Sequence, residues 1–193
     1  MKHEYDPAKH VYTIGGFEVP SVTRILDDLL PGFKAADWYM QRGRANHACY
    51  ALLAQGKQFK ADEQSEGNIR AWKAWNEEFK PEFKYIERQV YSDKFRFAGT
   101  LDAVAIIPKL GVMALVDYKE SLSQSVPYQL GAYALAAKET LKVNIKFGIG
   151  VELTHTGTWA VTPVFELARY SNAFLTLLSA YNIRAELNKT GKG

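Results

Sequence analysis

The spacing of apolar positions changes character along the chain, and the changes mark out the elements. VYTIGGFEV, residues 11–19, holds two short β-prone runs around Gly15-Gly16, which supply the positive φ of a tight turn and predict a hairpin. PSVTRILDDLL follows, with Ser21 placed as a helix N-cap and Pro31-Gly32 as the stop. A helix is predicted over 35–54, carrying Arg42, Arg44 and His47, with Gly56 as its stop. Another covers 66–80, where Ile69, Trp72 and Phe79, with Trp75 nearby, follow helical spacing up to Pro81. Then the pattern turns β-rich in three runs: FKYIERQVYS, FRFAGTLDAVAII and GVMALVDYK. Asp93-Lys94 and the segment Pro108 to Gly111 separate them, and such short connections favour antiparallel neighbours. A helix over 125–140, two strands in NIKFGIGVEL and GTWAVTPV, and an amphipathic helix over 166–187 complete the order. Leu167, Tyr170, Phe174, Leu177, Leu178 and Tyr181 form the buried face of that last helix, and NKTGKG is expected to fray.

This order predicts an α+β or mixed α/β fold with a central sheet flanked by helices. We expect one domain over 1–193: an N-terminal hairpin and helical part over 1–82, a core sheet over 83–165 and a closing helix over 166–188. The length suits a single sizeable core. A formal charge of +3 permits a nucleic-acid partner without demanding one. The lone cysteine, Cys49, excludes a disulfide framework and any zinc or iron–sulfur site built from cysteines. MKHEYDPAKH has no apolar core after its basic residues, and no apolar run approaches the ~20 residues of a membrane span. A cytoplasmic protein is the resulting expectation.

The chemistry concentrates at the end of one strand. Residues two apart in a strand share a face, so Met113, Leu115, Asp117 and Lys119 line up on one side. The first two read as core, and the last two put a carboxylate and an ammonium where a cleft could open. An isolated D-x-K would be a structural ion pair or an exit to solvent. Here the preceding strand carries Asp102 in an otherwise apolar run, where an unpaired carboxylate is costly. Pairing through the short Pro108–Gly111 turn sets Asp102 and Asp117 at comparable distances from it, so the two can face one another. Carboxylates that close repel unless a cation separates them, and an all-oxygen set suits Mg²⁺ or Mn²⁺. Gly99 leaves room for backbone or ligand, or marks a bulge. Glu87 is a third carboxylate or a solvated edge residue. Gln129 and Tyr133, four apart on the next helix, share a face able to address the same site. His47 reads as a structural histidine or a ligand, and Arg42 and Arg44 as a solvated face or a DNA contact.

The ordered set GTLD, DYK and Q-x-x-x-Y resembles the PD-(D/E)XK nuclease superfamily in its RecB-like exonuclease branch. Glu87 matches the acid of the family's first core strand, and His47 in G-x-x-x-H matches the histidine upstream in RecB-like members. FEVPSVTRIL is similar to the start of phage- and prophage-encoded members. The resemblance spans nearly the whole chain, with its specific motifs in 43–133. It implies the restriction-endonuclease-like αβββαβ core and a metal-dependent DNA nuclease, an exonuclease in recombination, repair or phage DNA processing. Asp102, Asp117 and the main-chain carbonyl of Tyr118 would bind Mg²⁺ or Mn²⁺, with Glu87 and His47 assisting or holding a second ion. Lys119 would position or deprotonate the attacking water, Gln129 would orient the site, and Tyr133 would contact the DNA backbone.

Two departures stand out. The chain lacks the four cysteines of the iron–sulfur relatives, so no such cluster is expected. Glu120 stands where many relatives have Thr, either as a further ligand or as a charge that weakens DNA approach. No G-x-x-x-x-G-K-[ST] motif is present, so unwinding would need a separate helicase chain. A recombinase or single-strand-binding protein is the other class of partner, an oligomer is possible, and no membrane is involved. The competing reading is a non-catalytic DNA-binding or protein-interaction module that kept the fold. Trp72 and Trp75 are read as packing the helical layer, with base stacking as the alternative. Lys34, Arg42, Arg44, Lys57 and Lys60 are candidates to flank a phosphate backbone.

Overall fold

A computed structural model describes residues 1–30 and 37–190. Lys34 and the Pro31-Gly32 helix stop lie outside the described residues. The N-terminus is a three-stranded antiparallel meander of β1 (His3–Asp6), β2 (Val11–Ile14) and β3 (Phe17–Val19). The expected hairpin is its β2–β3 half. β1 adds an edge strand that four residues with little apolar content did not announce. Ser21 caps α1 (Val22–Leu29) as expected, its hydroxyl accepting from the Arg24 N–H at 3.1 Å. Helices α2 (Asp37–Ala54) and α3 (Glu66–Phe79) follow.

The main sheet comprises β4 (Glu82–Ser92), β5 (Phe97–Ile107), β6 (Val112–Lys119), β7 (Phe147–Leu153) and β8 (Trp159–Val161), hydrogen-bonded in that order. The short β9 (Phe165–Glu166) also pairs with β7. β4, β5 and β6 are antiparallel, as their short connections require. β6 and β7 are parallel, joined by a crossover through α4 (Val126–Thr140). The last helix is α5 (Leu167–Thr190). The order α3, β4, β5, β6, α4, β7 is the expected α-β-β-β-α-β arrangement, a mixed α/β fold with a central mixed sheet flanked by helices.

Two apolar layers form on the two faces of the sheet. Leu101, Val104 and Leu115 face α1, α4 and α5, where Val22, Ile25, Leu130, Phe174 and Leu178 complete one core. Ala103, Ala114, Val116, Tyr118, Ile149 and Val151 face the other helical layer, with Tyr50 of α2 and Trp72, Trp75 and Phe79 of α3. Trp75 is fully buried and Trp72 nearly so, so the two tryptophans pack the core and are not available for base stacking. The side chains of β6 thus split as period two dictates: Leu115, Asp117 and Lys119 to one face, Ala114, Val116 and Tyr118 to the other.

The α4–α5 contact is close enough to need a glycine. A Cβ on Gly131 would stand 2.6 Å from the Ser171 nitrogen and from the Tyr170 carbonyl carbon. Ser171 Oγ also donates to the Gly131 carbonyl at 2.8 Å. Because helix backbone cannot yield locally, Gly131→Ala should force α4 away from α5. We expect a loss of about 1–3 kcal/mol, read as a lowered midpoint in urea unfolding. A midpoint at or above that of the wild type would show that the interhelical gap is looser than described.

Candidate active site

The site is built where β4, β5 and β6 are crossed by α2 on one side and α4 on the other. The β5–β6 register pairs Ala103 with Val116, which sets Asp102 opposite Asp117 one step further along. Asp102 accepts the Tyr118 backbone N–H at Oδ2, 2.8 Å away. The β4–β5 register pairs Ile86 with Ala103 and Arg88 with Leu101, so Glu87 falls opposite Asp102. Three carboxylates therefore lie side by side across three neighbouring strands.

Glu87 is bent to reach this point. Its φ is 45°, in the left-handed region that a non-glycine residue inside a strand avoids. The side-chain alternation of β5 changes phase at the same level: Phe97, Gly99 and Leu101 face the α4 side before Asp102, and Val104 after it. Strained backbone of this kind persists only where the surroundings impose it.

His47 comes from α2. Its Nδ1 lies 3.3 Å from Asp102 Oδ1 and 3.8 Å from Glu87 Oε1. Ligand atoms of His47, Glu87 and Asp102 all fall within 4.8 Å of one another, the one such group among the described residues. Glu87 is thus drawn into the cluster, not left as a solvated edge position. Asp117, 1% exposed, stands beside this group. Its Oδ1 accepts from Lys119 Nζ at 2.9 Å and from Gln129 Nε2 at 2.8 Å. Its Oδ2 is buried with no hydrogen-bond partner among the described residues. A buried carboxylate oxygen without a protein donor is expensive, and it suits a cation or a further donor.

The electrostatics follow from burial and crowding. Desolvation pushes the Asp117 carboxyl up to about 6, with Lys119 pulling against the shift and Asp102 adding to it. Desolvation also works to raise Asp102, but the His47 imidazolium, Lys119 and the Tyr118 N–H outweigh it and hold its carboxyl below the ordinary range. Burial opposes charge on His47, yet Asp102 and Glu87 together lift it to about 10. Burial likewise opposes charge on Lys119, and Asp117 and Asp102 more than compensate. Glu87 is raised by desolvation, with Asp102 adding to it against the pull of His47. At neutral pH, then, His47 and Lys119 are cations among three acids.

Several expectations change against this geometry. Tyr133 is 3% exposed and packs in the core beneath the site, its hydroxyl 3.4 Å from Gln129 Nε2. Its side chain cannot serve as a contact to a DNA backbone, and it supports Gln129 instead. Gly99 makes room for this ring: a Cβ there would stand 2.6 Å from Tyr133 Cε1, so the glycine serves neither a ligand nor a bulge. Arg42 is not a solvated residue. It donates to Glu120 at 2.5 Å with most of its side chain covered. That pairing keeps Glu120 out of the acid cluster. Arg44, Lys57 and Lys60 are exposed. Sequence reasoning missed Asp27 on α1, which lies close enough to feel the charge of Lys119. An exposed acid on an amphipathic helix gives no signal of that kind.

No helix among the described residues is long and apolar enough to cross a membrane. No protein-family model matches the chain, and no curated protein matches it in sequence. Among solved structures the chain is similar to an alkaline exonuclease, LHK-Exo, from Laribacter hongkongensis. The identity is 14%, the TM-score 0.48, and the match covers 89% of this chain and 91% of that one. It is similar also to LHK-Exo in complex with dAMP, at 13% identity and a TM-score of 0.46, over 90% of this chain and 93% of that one.

Proposed function

We propose that this protein is a divalent-metal-dependent DNA nuclease, an exonuclease of the RecB-like PD-(D/E)XK type. The observation that carries the reading is the convergence of His47, Glu87 and Asp102 within 4.8 Å, beside an Asp117 whose Oδ2 has no partner and which holds Lys119. The donor set of one imidazole and carboxylate oxygens suits Mn²⁺ or Mg²⁺, and the bare Asp117 oxygen fits an added cation. A divalent ion, when bound, supplies charge at the phosphoryl oxygens and acidifies water.

The remaining work falls to the chain. Gln129 and Lys119 occupy Asp117 Oδ1, which orients the carboxylate and leaves Oδ2 for the ion. Lys119 carries a full charge in this setting. It offsets charge developing on the phosphodiester and orients the attacking water. The Tyr118 main-chain carbonyl, at the same strand end, is a further proposed ligand. Arg44, Lys57 and Lys60 are the proposed contacts to the DNA backbone. Unwinding, if the substrate needs it, is assigned to another chain.

Lys119→Ala should lower Mn²⁺- or Mg²⁺-dependent degradation of end-labelled linear DNA by roughly 10²–10³-fold. Closed circular DNA should survive the wild type, and EDTA should abolish activity. Cutting of the circle would make the enzyme an endonuclease. A salt-sensitive gel shift with no cleavage of any DNA would replace the proposal with the binding module.

Asp117 links the site to stability. Its carboxyl titrates at about 6 in the folded protein against an ordinary 3.8, so the folded state binds that proton more tightly. The resulting stabilisation is complete below pH 3.8 and is lost as pH rises through 6. In EDTA, the melting temperature of Asp117→Asn minus that of the wild type should therefore widen between pH 4 and pH 7. A gap that stays constant over that range would rule out a buried, proton-demanding Asp117.

Glu87 contributes strain as well as charge. Glu87→Gly should raise the melting temperature of the metal-free protein, by relief of about 1–3 kcal/mol offset by the flexibility of glycine. It should also weaken Mn²⁺ binding in calorimetric titration. A lower melting temperature together with intact binding would remove Glu87 from the site.

A further inference from the structure

The residue after Lys119 departs from the RecB-like pattern, and its surroundings give it a task. Glu120 takes two partners on opposite sides: Arg42 Nη2 donates to Oε2 at 2.5 Å, and His155 Nδ1 lies 3.2 Å from Oε1. The three residues belong to three elements: α2, the end of β6, and the turn between β7 and β8. That turn is firmly seated. Asn68 Nδ2 donates to the Leu153 carbonyl at 2.6 Å, and the Thr154 N–H donates to the Thr158 carbonyl at 2.9 Å. Helix α3 approaches so closely that a Cβ on Gly67 would stand 1.6 Å from the His155 carbonyl oxygen. Glu120 therefore meets a seated turn through the largely exposed His155, and Arg42 is brought to it from α2.

Helix α2 depends on such a tether. From residue 42 to residue 54 only Asn46 and Tyr50 are buried, whereas α4 buries nine of its residues, Gln129, Leu130 and Tyr133 among them. Leu53 and Ala54 add half-buried contacts at its C-terminal end, so around residues 42–47 the packing is sparse and polar contacts hold the helix. Its inward side runs through Arg42, Asn46, Tyr50 and His47. One edge is pinned by Arg42 to Glu120 and the other by His47 to Asp102. We infer that Arg42 and Glu120 are positioning residues, whose ion pair fixes α2 over the sheet so that the His47 imidazole is held against Glu87 and Asp102. Glu120 is then neither a metal ligand nor a charge that repels DNA, because Arg42 already neutralises it.

The inference rests on the metal reading of the His47 cluster, and the experiment separates the two. Breaking one partner of a covered ion pair leaves an uncompensated charge, so conservative and reversed variants belong beside the single ones. Hydrogen exchange over residues 42–54 would be followed by mass spectrometry in EDTA, and Mn²⁺ binding by its electron paramagnetic resonance. Arg42→Gln and Glu120→Gln should each speed exchange over 42–54 while leaving α4 unchanged. Each should weaken Mn²⁺ binding about tenfold or more, the range for groups that orient a metal ligand. Arg42→Lys should keep most of the protection, and the reversed pair Arg42→Glu with Glu120→Arg should recover both properties. Unchanged exchange over 42–54 in both single variants overturns the clamp, as does loosening that extends equally to α4. Faster exchange with unaltered Mn²⁺ affinity overturns its connection to His47. A wild type that takes up no Mn²⁺ overturns the metal reading instead, and the exchange measurement still decides whether the pair holds α2.

Discussion

Everything around the candidate site answers one constraint: two buried carboxylates and a half-buried third side by side in an apolar sheet. Asp102 and Asp117 are 9% and 1% exposed, and Glu87 reaches the same point from the neighbouring strand. Unscreened, such a cluster would protonate or unfold the sheet. The chain meets the cost from both faces. From the α4 side come Gln129 and, at the same strand end, Lys119, both bonded to Asp117. From the α2 side comes His47, against Asp102 and Glu87. Two cations against three acids leave a net negative centre with one oxygen bare, which is the electrostatic profile of a cation site more than of a finished structural network.

Part of this was legible in the sequence because it rests on local rules. Period two in GVMALVDYK fixes the face of Asp117 and Lys119, and a four-residue connection fixes which residue of β5 meets Asp117. The fold class follows from the order of runs and the short turns between them. What escaped depends on packing between distant elements. The left-handed φ of Glu87 has no signature in YIERQV. The burial of Tyr133 on α4 is decided by Gly99 on β5, and Glu120 is decided by Arg42, seventy-eight residues away. Exposed-looking polar residues on helices were read as surface because nothing local says which partner covers them.

The two faces differ in a way that bears on how the site works. On the α4 side, a glycine-mediated helix contact and a fully packed core hold Gln129 and Tyr133 in place. Asp102, Asp117 and Lys119 are fixed by the strands themselves. Most of the cluster is therefore carried by the sheet and by the packed α4. His47 alone among the cluster rides on a helix, α2, in which only Asn46 and Tyr50 are fully covered between residues 42 and 54. The geometry of the cluster thus divides into an invariant half and an adjustable half.

That division explains why an extra acid after Lys119 is tolerated. A bare Glu120 would add a fourth carboxylate to an already negative centre and raise the repulsion that the site must offset. Turned away and paired with Arg42, it removes its own charge from the field and converts a liability into a fixed point for the adjustable half. The same pairing withdraws Arg42 from the set of residues free to meet a phosphate backbone. Exposed cations such as Arg44, Lys57 and Lys60 keep a side-chain freedom that the covered Arg42 lacks.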